Sequence, residues 1–226
     1  MSGDARLFVA LDPPARVQAE LARWARWALE PGRPRAARAT DSPGAGPRSR
    51  SSGRDRPGRA PSDGIRRVQA SALHITLCFL GDQPLDLVDE IADLVRGAVL
   101  ELASSGVELD RLGIGAPVWL PPSRPRALAL EVHDESGGLL ALYDDLRRGL
   151  GDAIGWEPER RRLRPHITVA RLRSWAPPPA CTEPTPALVF EAEAVTVYRS
   201  RLEPDGAAYQ ALARVGLGGR GRDPGD

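Results

Sequence analysis

Two short stretches of the chain repeat the same three letters in the same setting: "ALHITLCFLGD" at 72–82 and "RPHITVAR" at 164–171. On a β-strand, residues i and i+2 point to the same face, about 6.5–7 Å apart. His74 and Thr76 therefore share one face, and so do His166 and Thr168. Ile75, Leu77, Ile167 and Val169 point the other way and suit a core. Two such faces opposed across a cleft would bring two imidazoles and two hydroxyls to one point. That set suits phosphoryl chemistry. A neutral imidazole takes a proton from an attacking water, a protonated one gives a proton to a leaving alkoxide, and the hydroxyls hold non-bridging phosphate oxygens. Histidine fits because its unperturbed pKa of about 6.5 lies near working pH. A lone His-x-Thr arises often by chance, but two of only three histidines stand in identical His-Ile-Thr contexts. Spacing alone leaves two readings open: catalysis, or two histidines satisfied in a core. The third, His133 in "EVHDESGG", sits before a Gly-rich turn and is expected to be exposed and uninvolved. No carboxylate, cysteine or third histidine recurs at ligand spacing near either motif, so neither a metal nor another cofactor is expected.

The elements that must position these strands alternate between strand and helix patterns. "RLFVAL" (6–11) reads as a short apolar strand. The helix after it has Asp12 as expected N-cap, Pro13 at its first position, and a stripe of Val17, Leu21, Trp24 and Ala28. "IRRVQA" and "LHITLCFL" (73–80) read as strands. A second helix carries Leu87, Ile91, Leu94 and Ala98 on one face. A strand is expected near 107–116, then a Pro-rich turn in "PVWLPPSRP", then the strand "RALALEV" (126–132). A third helix follows, with Ser136 as candidate cap. "LRPHITVAR", "ALVFEAEAVTVYRSRL" and "AAYQALARV" complete the strands. The order predicts an α+β protein of mixed or antiparallel sheet with outer helices. Since the two His-Thr strands fall in corresponding halves, it hints at two pseudo-symmetric lobes around a cleft.

Composition limits the function classes. The 226 residues allow one bilobal domain, with 42% hydrophobic and 27% charged residues and a net charge of +1. No apolar run reaches about 18 residues, so no membrane span is expected. Cys78 and Cys181 lack metal-type spacing, and the N-terminus lacks the layout of a signal peptide; a cytoplasmic protein, taken as a monomer, is the plain reading. Residues 31–63 contain Pro, Gly, Ser, Arg and Ala but no Leu, Ile, Val or aromatic residue. They are expected to be a disordered insertion. With eight Arg against three Asp the segment carries +5, leaving −4 for the rest of the chain. It is either an Arg-rich arm for a polyanion or a neutral loop insertion. Residues 217–226 are expected to form a flexible tail.

The chain resembles the 2H phosphoesterase superfamily, named for its paired H-x-T/S motifs, and within it the RNA 2′,3′-cyclic phosphodiesterases, also called 2′-5′ RNA ligases. Besides both motifs, the likeness covers "RLFVALDPP", "RPRALAL" and "VTVYRSRLEPDGAAYQAL". It implies two similar lobes around a water-filled cleft. It also implies metal-independent hydrolysis of a ribose 2′,3′-cyclic phosphate on RNA to a 2′-phosphate. On that resemblance His74 protonates the departing 3′ oxygen, His166 activates the water, and Thr76 and Thr168 bind the phosphate. The reverse reaction would join RNA ends through a 2′-5′ linkage.

Two neighbours carry alternatives. Arg171 stands where the family has an arginine near the phosphate, but strict alternation puts it on the face opposite His166 unless the strand ends or bulges. It is a phosphate ligand or a solvated strand-end arginine. Phe79 matches a family aromatic able to stack on a base and meets the same objection; it stacks or packs in the core. Cys78 shares parity with His74 and would line the cleft. "QASALH" lacks the Pro and Asn commonly seen there in the family. Two rival functions stay in view: a phosphoesterase of a small cyclic nucleotide, and a non-catalytic RNA-binding module. The folded part's lack of basic excess argues against tight general RNA binding.

Overall fold

Strand β1 (Asp4–Asp12) buries alternate residues Ala5, Leu7, Val9 and Leu11 against the core, the period of two that the apolar run predicts. The structure, a computed structural model, describes residues 3–30, 64–158, 162–173, 177–179, 181, 183–203 and 206–218. The insertion at 31–63 and residues 219–226 of the expected tail lie outside them. After β1 come α1 (Ala15–Ala28), β2 (Ile65–Arg67), β3 (Ile75–Pro84), α2 (Val88–Ser105), β4 (Leu112–Leu120) and β5 (Ala127–Asp134). They are followed by α3 (Gly138–Ile154), β6 (His166–Leu172), β7 (Val189–Phe190), β8 (Ala194–Glu203) and β9 (Gly206–Gly216). The fold is α+β, as the pattern predicts. Among the described residues, no helix is long and apolar enough to cross a membrane.

Three local expectations are corrected. Pro14, not Asp12, takes the N-cap position of α1. Two prolines separate Asp12 from the first turn, too far for its side chain to cap, and it remains the last residue of β1. Its carboxylate instead accepts hydrogen bonds from the Thr196 and Tyr198 hydroxyls at 2.6 and 3.0 Å. The strand expected near 107–116 runs later, through Pro117–Leu120. Pro117 sits at a β4–β5 register shift, and β7 pairs β4 only at Leu112 and Gly113, so its missing N–H costs the sheet no ladder bond on that edge. At α3 Gly137, not Ser136, takes the N-cap position; from just ahead of it, Asp134 accepts the Leu139 N–H at 2.8 Å and Ser136 the Gly138 N–H at 3.2 Å.

Among the described residues, the nine strands form one sheet in the order β7-β4-β5-β6-β3-β1-β8-β9, with β2 also beside β6. Every pairing among the described residues is antiparallel. The halves β9-β8-β1-β3 and β2-β6-β5-β4-β7 meet at one register pair, Ile75 with Ile167. The two His-Thr strands are thus neighbours at a seam within a single sheet, not strands facing each other from separate sheets.

The three helices pack on one face. Val17, Leu21 and Trp24 of α1, Ile91, Val95 and Leu102 of α2, and Leu139, Leu142, Leu146 and Leu150 of α3 join Leu7, Val9, Leu11, Ile75, Ile167, Leu128, Leu130, Val195 and Val197 of the sheet in one core. The opposite face carries the histidines.

Candidate active site

The seam sets the site. One residue to either side of the Ile75–Ile167 pair, His74 comes level with Thr168, and Thr76 with His166. Both isoleucines are fully buried on the helix side, so all four polar side chains share the uncovered face, where each is half-buried. The two histidines are held alike. Nδ1–H of His74 donates to the Ala72 carbonyl at 2.8 Å, and Nδ1–H of His166 to the Arg164 carbonyl at 2.7 Å. A carbonyl only accepts, so each neutral ring carries its proton on Nδ1 and leaves Nε2 as the basic nitrogen.

The parity objection to Arg171 is answered by the sheet. Across β5 and β6, Ala129 pairs Thr168, Leu128 pairs Ala170 and Ala127 pairs Arg171, with the register shift after Thr168. Val169 is the extra residue of a β-bulge, and both Val169 and Ala170 are fully buried. Alternation resumes one step out of phase, and exposed Arg171 returns to the face of His166 and Thr168.

β3 uses the same device. Against β1, Thr76 pairs Ala10, Cys78 pairs Val9 and Phe79 pairs Phe8, so Leu77 is extra. Leu77 and Cys78 are both buried, and Phe79, 40% exposed, comes to the histidine face. The Arg6 guanidinium lies 4.8 Å from its ring centroid. This corrects the placement of Cys78. Its thiol belongs to the core, where burial pushes its pKa up to about 12. A second irregularity follows at once, leaving Leu80 unpaired between Phe79 and Gly81. Gly81 has φ +74°, a left-handed conformation that strongly favours glycine.

The histidines differ in their surroundings. His74 packs against the Phe8 ring, centroids 5.0 Å apart, and edge-on to Tyr209 at 5.1 Å; Tyr198 stacks on Phe8 at 5.2 Å. Burial in this aromatic wall lowers the His74 pKa from 6.5 to about 4; the Ala72 carbonyl opposes the shift, and the charges of Arg171 and His166 add to it. Desolvation also raises the Asp12 carboxyl and the Tyr198 hydroxyl, which bond each other beside the wall. On the other side Glu131 lies level with His166, and its carboxylate accepts from Arg164 at 2.6 Å. His133 is exposed, as expected, and lies over Gly115. Sequence reasoning missed Phe8, Tyr198, Tyr209 and Glu131. Each sits at ordinary strand spacing, and only the pairing of distant strands brings it to the histidines.

A family profile described as the 2′-5′ RNA ligase superfamily matches residues 50–203. The chain belongs to this superfamily, the 2H phosphoesterases. It is 33% identical over 172 residues to the RNA 2′,3′-cyclic phosphodiesterase of Thermus thermophilus, covering 70% of this chain and 79% of that one. It is 27% identical over 164 residues to the enzyme of the same name from Aeropyrum pernix, covering 70% and 89%. The fold matches crystal structures of E. coli LigT with 3′-AMP (TM-score 0.64, 22% identity, 95% of this chain and 98% of that one) and of TT0787 of Thermus thermophilus (0.63, 24%, 96% and 100%).

Proposed function

We propose that this 2H phosphoesterase hydrolyses RNA 2′,3′-cyclic phosphate ends to 2′-phosphates without a metal. The observation that carries the reading is the pair of His-Thr strands at the seam, with both Nδ1 atoms tied to backbone carbonyls and both Nε2 atoms left for chemistry. The relatives' names supply the substrate class. A water attacks phosphorus as the P–O3′ bond breaks. One Nε2 takes the water's proton while the other imidazolium gives its own to O3′, so charge and protons balance. Thr76, Thr168 and Arg171 hold the non-bridging oxygens, and Phe79 offers its face to the base. The reverse reaction, with a 5′-hydroxyl in place of water, gives a 2′-5′ linkage by the same groups. Residues 1–226 act as one bilobal domain in this reading.

The test is a product assay on a short RNA ending in a 2′,3′-cyclic phosphate, with and without EDTA. A 2′-phosphate formed at the same rate in both is expected. A 3′-phosphate product, or loss of turnover in EDTA, would overturn the mechanism.

The resemblance casts His74 as the acid. In the free cleft its depressed pKa leaves it neutral at neutral pH. An anionic phosphate beside Arg171 opposes the cationic field and favours its proton. Nitrogen NMR is therefore expected to show His74 titrating near 4 in the free protein. In excess inorganic phosphate the midpoint rises by more than about one pH unit. A midpoint that phosphate leaves unmoved takes the acid role from His74. The same shift carries a stability signature. Between the folded value of about 4 and the ordinary 6.5 the unfolded chain binds more protons. Stability is thus complete above 6.5 and falls toward pH 4, by on the order of 3 kcal/mol.

A further inference from the structure

We infer that Asp12 is a positioning residue for His74: its carboxylate anchors the Tyr198 ring, Tyr198 braces Phe8, and Phe8 sets the plane of the His74 imidazole. The inference rests on the phosphodiesterase reading above and adds to that site a residue that acts through two rings.

Among the described residues, the buried polar or charged side chains are Asp12 and Thr196. A carboxylate out of water is costly unless hydrogen bonds satisfy it. Here desolvation is the largest influence on the carboxyl and raises its pKa. Two hydroxyls meet it: Thr196 Oγ1 donates to Oδ2 at 2.6 Å and the Tyr198 hydroxyl to Oδ1 at 3.0 Å. The Arg214 Nε lies 3.7 Å from Oδ2, but that guanidinium is half-exposed and also pairs with Glu193 at 3.1 Å. A carboxylate only accepts, so the Tyr198 hydroxyl must aim its proton at Asp12. That fixes where the far end of the Tyr198 ring lies.

The reach of Tyr198 shows what the bond holds. Its backbone pairs with Phe8, four residues before Asp12 on β1. Phe8, Ala10 and Asp12 share the uncovered face. The Tyr198 side chain therefore runs along β1 past Ala10, which is fully buried although the helices lie on the other face. Its ring stacks on Phe8 with centroids 5.2 Å apart and planes at 18°. Phe8 meets His74 at 5.0 Å and 33°. Tyr209 closes the cluster edge-on, 5.1 Å from both Phe8 and His74. His74 depends on this bracing because it lies just before the first residue of β3, straight after the turn at Ala70–Ala72. Its Nδ1 bond to the Ala72 carbonyl ties one ring atom to that turn. The ring packed on its face fixes the plane, and with it the direction of Nε2.

Asp12 is also level with His74, one step beyond the Leu11–Ile75 pair. A test must therefore separate the anchor from the carboxylate's charge. Tyr198→Phe does so, since it cuts the anchoring bond and keeps both the ring and the Asp12 carboxylate. The experiment measures kcat and KM on adenosine 2′,3′-cyclic phosphate, and the His74 ring-proton NMR signals, in Tyr198→Phe, Asp12→Asn and Asp12→Ala. Tyr198→Phe is expected to lower kcat about 10-fold, with KM within about two-fold of wild type, because a misplaced group costs rate while Thr76, Thr168 and Arg171 still hold the phosphate. Its His74 signals shift as the Phe8 ring loosens. Asp12→Ala loses more, and Asp12→Asn, which keeps the shape and one acceptor oxygen, recovers part of the rate. Circular dichroism melts verify the fold, and Tyr198→Phe carries the comparison should Asp12→Ala not fold. An unchanged kcat in Tyr198→Phe overturns the anchor, even where Asp12→Ala is slow. A lower kcat with the His74 signals unmoved overturns it also. No turnover by the wild type would overturn the phosphodiesterase reading, and the His74 signals alone then decide the anchor.

Discussion

Replacing His74 or His166 with alanine is expected to lower kcat on a nucleoside 2′,3′-cyclic phosphate by at least about 10²-fold in each variant, with the melting curve of the His166 variant nearly unchanged. The reaction needs one proton removed from water and one delivered to O3′, and each half-buried ring sits on the open face with only its Nδ1 committed. Neither ring is a core element, so truncation leaves the apolar layer of Ile75, Ile167, Leu11 and Leu130 intact. The double variant should lose little more than the worse single one, because groups that act as a unit are not additive. A single variant turning over near the wild-type rate would remove that histidine from the mechanism. His133→Ala is the control: exposed over Gly115, it should cost nothing measurable.

Ile75→Ala should have the largest effect on stability. Ile75 is fully buried and is the residue at which β1, β3 and β6 are joined, pairing Leu11 on one side and Ile167 on the other. Deleting a buried isoleucine to alanine costs about 2–5 kcal/mol through lost transfer energy and the cavity left behind. For a chain of this size that is a fall in Tm of roughly 5–15 °C. Activity should fall too, because this seam sets His74 and Thr76 level with Thr168 and His166. Leu100→Ala is the comparison: on the solvent side of α2 and 70% exposed, it should move Tm little. Equal Tm for the two variants would mean that the seam does not hold the halves together.

Much of this was legible in the sequence. His-x-Thr, read at a period of two, assigns His74, Thr76, His166 and Thr168 to one face and Ile75 and Ile167 to the other. That parity is a local property of a strand and needs no partner. The same rule, carried further, sends Arg171 and Phe79 into the core and Cys78 to the cleft. It fails at Leu77 and Val169, where a bulge adds one residue to one strand of a pair. A bulge is a relation between two strands: Val169 is extra only because Ala129 and Leu128, consecutive on β5, face Thr168 and Ala170. Nothing in "HITVAR" itself marks it.

The sequence by itself therefore determined the α+β class, the four polar groups and their shared face, since side-chain alternation and helix stripes are short-range. The tertiary structure decided the rest. It made the His-Thr strands neighbours at one seam, built the Phe8, Tyr198 and Tyr209 wall that desolvates His74, and phased Arg171 and Phe79 onto the histidine face. Those outcomes depend on which distant strands pair and in what register, an energy summed over the whole sheet and not written in any one segment.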